Sequence, residues 1–292
     1  MPHTCYMYHG KWRPIMIKRY FSAKDFHRIE KDFSFLIKVI QNSHGEYDFA
    51  IRDKYFNIYY KGNSLAKVVL KKGEIYQIVI HSKFLGHTKA NDPRFYITEE
   101  KRGEYFFVKI AAKQLHQFLQ KKHLSEISSR IKSVNYGEEI RFEQSLITDN
   151  LNREQLIFID RQITDTKLKR KRLDLLALTQ VKKGRDQYQF LVSEVKLGNN
   201  SELKDKVADQ LETYIAHIEH NFSDYKDCYE KHYEQKKKLG LIQKPSFECI
   251  EIVEPVKGIV LVGGYSGIAK DQINELKDTH QQLEVKHFTY EV

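Results

Sequence analysis

Apolar positions in the first third of the chain recur at two different spacings. In SAKDFHRIEKDFSFLIKVI, Phe26, Ile29, Phe33, Leu36 and Ile40 fall three and four residues apart, the period that gathers side chains on one side of a helix. Ser22 and Asp25 are placed to cap its start. Beyond it the period shortens to two. The runs YDFAIRD, YFNIYYK, SLAKVVL, EIYQIVI and EYFFVKI are rich in β-branched and aromatic residues and are separated by Gly, Asn, Ser and Lys. That pattern predicts short strands, followed by helix around residues 111–133. The character changes near SSRIKSVNYGEE, residues 128–139. The chain is accordingly read as an α+β N-terminal domain over residues 1–135 and a second domain over residues 136–292.

In the second domain two apolar strands are each interrupted by an acid. RLDLLALT (172–179) carries Asp174, and FLVSEVKLG (190–198) carries Glu194 and Lys196. Side chains alternate faces along a strand, so Glu194 and Lys196 point the same way. The segment VKKGRDQ between the two runs has turn character, and Asp174 and Glu194 each lie ten residues from Gly184. An antiparallel hairpin centred there sets the two carboxylates opposite each other, with Cβ atoms about 5 Å apart. On a buried sheet such a pair repels, and one acid is driven toward protonation unless a cation lies between them. Oxygen donors without Cys or His favour Mg²⁺ or Mn²⁺ over zinc. Lys196 faces the same pocket, where an ammonium suits a phosphate oxygen. The competing reading, a plain ion pair of Lys196 with one acid, leaves the other acid unexplained.

Charge placement adds a partner class. The net charge is +10, but residues 1–136 hold 25 Lys and Arg against 12 Asp and Glu, whereas residues 137–292 hold 24 against 27. A basic front half suits a phosphate backbone. Its aromatic residues, among them Tyr55, Phe56, Tyr59 and Tyr60, serve either as core or as stacking surfaces for unpaired bases. The run KLKRKR (167–172) precedes the Asp174 strand, so Arg170 and Arg172 either flank a bound phosphate or lie on a solvated turn. Three cysteines, far apart, indicate neither a disulfide framework nor a zinc site. GGYSG (263–267) lacks the spacing of a nucleotide-binding P-loop, and the thirteen histidines show no HExxH pattern. No apolar run has the length of a membrane span, so no membrane partner is expected and the expected location is cytoplasmic.

Asp174 followed by Glu194-Val-Lys196 resembles the core motif of the PD-(D/E)XK nuclease superfamily. Gln210 and Tyr214, four apart on the next helix, resemble the QxxxY motif of its RecB-like and NucS-like nuclease domains. The resemblance covers residues from about 138 onward. It implies an α/β, restriction-endonuclease-like αβββαβ core with a mixed sheet. FEQSLITDNL would be its first helix, LIFIDRQI its first strand, SELKDKVADQLETYIAHIEH its second helix and KGIVLVGG its fourth strand, with AKDQINELK and LEVKHFTYEV closing it. The family's helical acid falls on Glu143, with Glu139 and Glu154 as alternatives. The implied activity is metal-dependent hydrolysis of nucleic-acid phosphodiesters. Mg²⁺ or Mn²⁺ would be held by Glu143, Asp174 and Glu194, with Lys196, Gln210 and Tyr214 completing the site. DNA is the implied partner, with RNA and a homodimer as further options. The alternative is a nuclease fold that no longer cuts and serves in DNA binding or assembly.

Overall fold

The computed structural model describes residues 5–8, 11–14, 17–85, 96–134, 137–165 and 172–289. The chain divides into two compact units: Arg19–Asp149 with Gln235–Gln243 form the first, and the segment up to Lys18, Asn150–Glu234 and Lys244–Val292 form the second. The sequence places its boundary at residue 135 or 136, and the difference has a physical basis. A helix just past that point donates from Gln144 Nε2 to the Gly45 carbonyl of the first unit at 2.8 Å. The distant Gln235 exchanges two hydrogen bonds of 2.8 Å with the Phe21 backbone. Contacts between segments so far apart leave no trace in local composition.

The chain opens with a small hairpin, β1 (Cys5–Tyr8) and β2 (Lys11–Pro14). The amphipathic stretch after it folds as two helices, not one: α1 (Ala23–Asp32) and α2 (Ser34–Gln41). Phe33 between them leaves helical geometry (φ −116°, ψ 15°) and buries its ring edge-on against Phe56 and Tyr76, 4.9 Å from each. The Ser22 cap forms as the spacing predicts, its hydroxyl accepting from Asp25 N–H.

Six antiparallel strands follow in the order β3-β4-β5-β6-β8-β7. They are β3 (Tyr47–Arg52), β4 (Tyr55–Tyr60), β5 (Asn63–Leu70), β6 (Ile75–His81), β7 (Thr98–Arg102) and β8 (Tyr105–Ala111). The short α3 (Ser82–Leu85) follows β6, and α4 (Ala112–Phe118), α5 (Lys121–Val134) and α6 (Glu138–Thr148) come after the sheet. Strand β7, TEEKR, has no apolar alternation and is not predictable from its own residues. Phe56 and Tyr60 join one core with residues of α1, α2, α4 and α5, whereas Tyr55 points to the opposite face of the sheet. Tyr59 shares that opposite face yet is buried.

The second unit is built on a mixed sheet of order β14-β13-β11-β10-β9, with the two-residue β12 (Glu251–Ile252) beside β11. Strands β9 (Leu156–Thr164), β10 (Arg172–Gln180) and β11 (Gln187–Leu197) run antiparallel, while β11, β13 (Lys257–Gly263) and β14 (Val285–Phe288) run parallel. The segment 201–220, read as one helix, forms a 3₁₀ turn at Ser201–Leu203 and then α7 (Val207–His220). Two more helices complete the unit: α8 (Phe222–Lys238), which continues into the first unit, and α9 (Ser266–Thr279). α7 packs on β11 and β13. Gly258 permits this, because any Cβ there would run into Ile215 and Leu211 of the helix. Among the described residues no helix is long and apolar enough to cross a membrane.

Candidate active site

The β10–β11 hairpin turns about Gly184, whose φ of +77° suits a residue without a side chain. Its register sets Leu175 opposite Ser193 and, carried one residue further, Asp174 opposite Glu194. There the ladder opens. The Val195 N–H, whose antiparallel partner would be Leu173, instead donates to Asp174 Oδ2 at 3.1 Å. On its other edge β11 runs beside β13, with Glu194 next to Val260 and Lys196 next to Val262. The opening leaves room for polar side chains on a sheet otherwise lined by Leu, Val and Ile.

Glu194 and Lys196 share a face, as strand alternation requires, and are 3% and 7% exposed. Lys196 Nζ donates to Glu194 Oε1 at 3.0 Å and lies 3.4 Å from Glu202 Oε2. The carboxyl of Asp174 is held above its usual range, first by burial. The Val195 N–H, the charges of Lys196 and Arg172, and a hydrogen bond shared with the Glu194 carboxyl pull the other way. Two carboxylates so placed raise each other's cost of ionisation unless a cation answers them. Tyr214, on α7, reaches the same place: burial and the charges of Glu194 and Asp174 push its phenol up to about 12. Its hydroxyl donates to the Arg172 carbonyl at 2.9 Å. One turn earlier on that helix, Gln210 Oε1 is buried with no hydrogen-bond partner among the described residues.

Asp174, Glu194, Lys196, Tyr214 and Arg172 thus come together within the second unit. Glu143 and Glu139 lie on α6 of the first unit, where Glu143 is buried. Glu154 is not at this pocket: its backbone carbonyl accepts from Tyr188 and its carboxylate pairs with Lys244 at 3.3 Å. Tyr188 is six residues before Glu194 on the same strand, about 20 Å away. Arg170 lies outside the described residues.

Two features escaped the sequence reading. Glu202 approaches Lys196 from the 3₁₀ turn, and only the fold brings it there. Behind β9, buried Asp165 is 2.9 Å from His217 Nε2 and accepts from the Tyr225 hydroxyl at 3.2 Å, with Asp160 accepting from Tyr229 at 3.1 Å. These partners satisfy two acids that would otherwise be stranded in the core.

Among the described residues no group of three or more His, Cys, Asp or Glu side chains is arranged as a metal site. The donor chemistry nevertheless fits a hard dication, since Mg²⁺ binds through one or two carboxylates and takes its other positions from water and substrate phosphate. Asp174 and Glu194, opposed on the hairpin, supply such a pair. Comparison with protein-family models, with curated proteins and with solved structures yields no match to this chain.

Proposed function

We propose that this protein is a metal-dependent phosphodiesterase of the PD-(D/E)XK kind acting on nucleic acid, DNA before RNA. One observation carries the proposal: two opposed carboxylates, Asp174 and Glu194, buried beside an ammonium 3.0 Å from one of them, at the point where a hairpin strand splays from its partner. The element order supports it too, with three antiparallel strands, a helix and a parallel fourth strand, as expected of a restriction-endonuclease-like core.

Asp174 and Glu194 would hold Mg²⁺ or Mn²⁺, and the bound ion supplies Lewis-acid polarisation of the phosphoryl oxygen and countercharge to the acids. Lys196, fixed between Glu194 and Glu202, presents N–H donors to the charge that develops on the phosphate. Tyr214 fixes the start of β10 through the Arg172 carbonyl, and the Arg172 guanidinium faces solvent beside the acids, where it meets a flanking phosphate.

The test is incubation of single-stranded, duplex and branched DNA, and of RNA, with Mg²⁺ or Mn²⁺, beside the Glu194→Ala and Asp174→Ala proteins. Cleavage by the wild-type chain alone is the expected result. Binding without cutting in either metal would favour a nuclease fold retained for DNA binding, and cutting by both variants would remove the site.

A further inference from the structure

In the first unit α1 to α5 gather on one face of the six-stranded sheet, against Phe56, Val68, Ile78 and Val108. The registers define the opposite face. One lateral row runs Tyr55, Val69, Gln77, Lys109, and the next runs Asn57, Lys67, Val79, Phe107. From β5 outward these side chains are half-buried or exposed. The β5–β6 turn extends the surface with a depression lined by Lys71, Lys72, Ile75, Gln77 and Lys109.

The acids on this face are answered by other cations: Glu100, beside Phe107, by Arg102, and Asp48, beside Tyr59, by Lys236. Among the described residues, Lys67, Lys71, Lys72 and Lys109 form no ion pair. Lys67 rests instead 3.9 Å above the Tyr55 ring, a contact that fixes its position and leaves its positive charge uncompensated. Burial without a countercharge lowers its pKa. On the outer strands, Arg102 lies 5.4 Å from the Phe107 ring, with its own charge met by Glu100. The centre of the face therefore offers an apolar strip of Val69, Val79 and Phe107 beside Lys67, which the Tyr55 ring fixes, and the exposed Lys109.

We infer that this sheet face, around Lys67, Phe107 and Lys109, binds single-stranded nucleic acid. Phosphates match the unpaired lysines, and exposed base faces match the strip. A duplex keeps its base faces stacked inside and cannot use the strip. The inference deepens the phosphodiesterase reading by naming how substrate is caught, and it is measured by binding, not by cleavage.

The experiment uses the full chain carrying Asp174→Ala, in EDTA, titrated with a fluorescent 20-residue oligothymidylate and with a duplex of the same length across a salt series. A variant with all four lysines changed to Gln is compared with Lys182→Gln/Lys183→Gln in the β10–β11 turn. The face variant should flatten the log–log salt slope by about 0.7 for each cation engaged, and the turn variant should not. Phe107→Leu should weaken binding about tenfold at unchanged slope. An unchanged slope in the four-lysine variant, or a duplex bound as tightly as the single strand, overturns the inference. A wild-type chain that never cuts, yet loses single-strand binding in the face variant, would defeat the phosphodiesterase reading and leave this one standing.

Discussion

Lys196 Nζ lies 3.0 Å from Glu194 Oε1 and 3.4 Å from Glu202 Oε2, so one nearly buried ammonium answers two carboxylates from different elements. Removing it leaves the Glu194 charge buried and unanswered, which costs about 3–5 kcal/mol for a broken buried pair. Lys196→Met should lower stability by that order in chemical denaturation and abolish cleavage. Adding Glu194→Gln should recover most of the stability and none of the activity. A single variant as stable as wild type would show that Glu194 is already neutral in the folded chain.

Glu202 is the outer partner, 37% exposed, so its attraction to Lys196 is screened and worth little to stability. Its effect should fall on positioning. Glu202→Gln is expected to change unfolding free energy by under about 1 kcal/mol, yet to slow cleavage about tenfold at saturating DNA, because a charge-assisted contact that aims the ammonium is lost. Glu202→Asp should restore part of the rate. Substrate affinity that falls while the saturated rate holds would place Glu202 in binding and not in the aim of Lys196.

Asp174 makes stability depend on pH and on metal. Its folded carboxyl is held above the ordinary value, chiefly by burial, so in the window between the two values the folded chain holds more protons than the unfolded one. Stability from this group is then full below the unfolded value and is lost as pH rises through the folded one. Asp174→Asn should remove that slope and melt higher than wild type at neutral pH, by about 2–4 °C. Mg²⁺ or Mn²⁺ should raise the wild-type melting temperature at neutral pH and leave that variant unmoved. Equal metal shifts in both proteins would mean that the ion binds elsewhere.

Part of this arrangement is legible in the chain. The shared face of Glu194 and Lys196 follows from strand alternation, and the opposition of Asp174 to Glu194 from their equal distance to Gly184. Both are local rules acting within about 25 residues. The break at Phe33 is not legible, because the apolar period runs through it unbroken and the ring leaves the helix for long-range contacts with Phe56 and Tyr76. Nor is the approach of Glu202, which depends on a 3₁₀ turn inside what reads as the start of one helix. Membership of α6 and residues 235–243 in the first unit accompanies contacts across 99 to 214 positions, among them Gln144 with Gly45, Gln41 with Leu239 and Gln235 with Phe21. No window along the chain contains both ends of such a contact.

Tyr214 is close enough to the acids to be mistaken for the group that moves a proton. Its phenol is pushed up to about 12 by burial and then by the negative charges of Glu194 and Asp174, so it is protonated at neutral pH. Its hydrogen is already committed to the Arg172 carbonyl at 2.9 Å. The role that remains is to pin the first residue of β10, two positions before Asp174. Tyr214→Phe should therefore cost about 1 kcal/mol of stability, the net worth of one hydrogen bond, and reduce cleavage only several-fold. The pH dependence of the rate should keep its shape, because no titrating group has been removed. A lost alkaline or acidic limb in the Phe variant would show that the phenol ionises during the reaction, and Tyr214 would then join Lys196 among the groups that touch the phosphate.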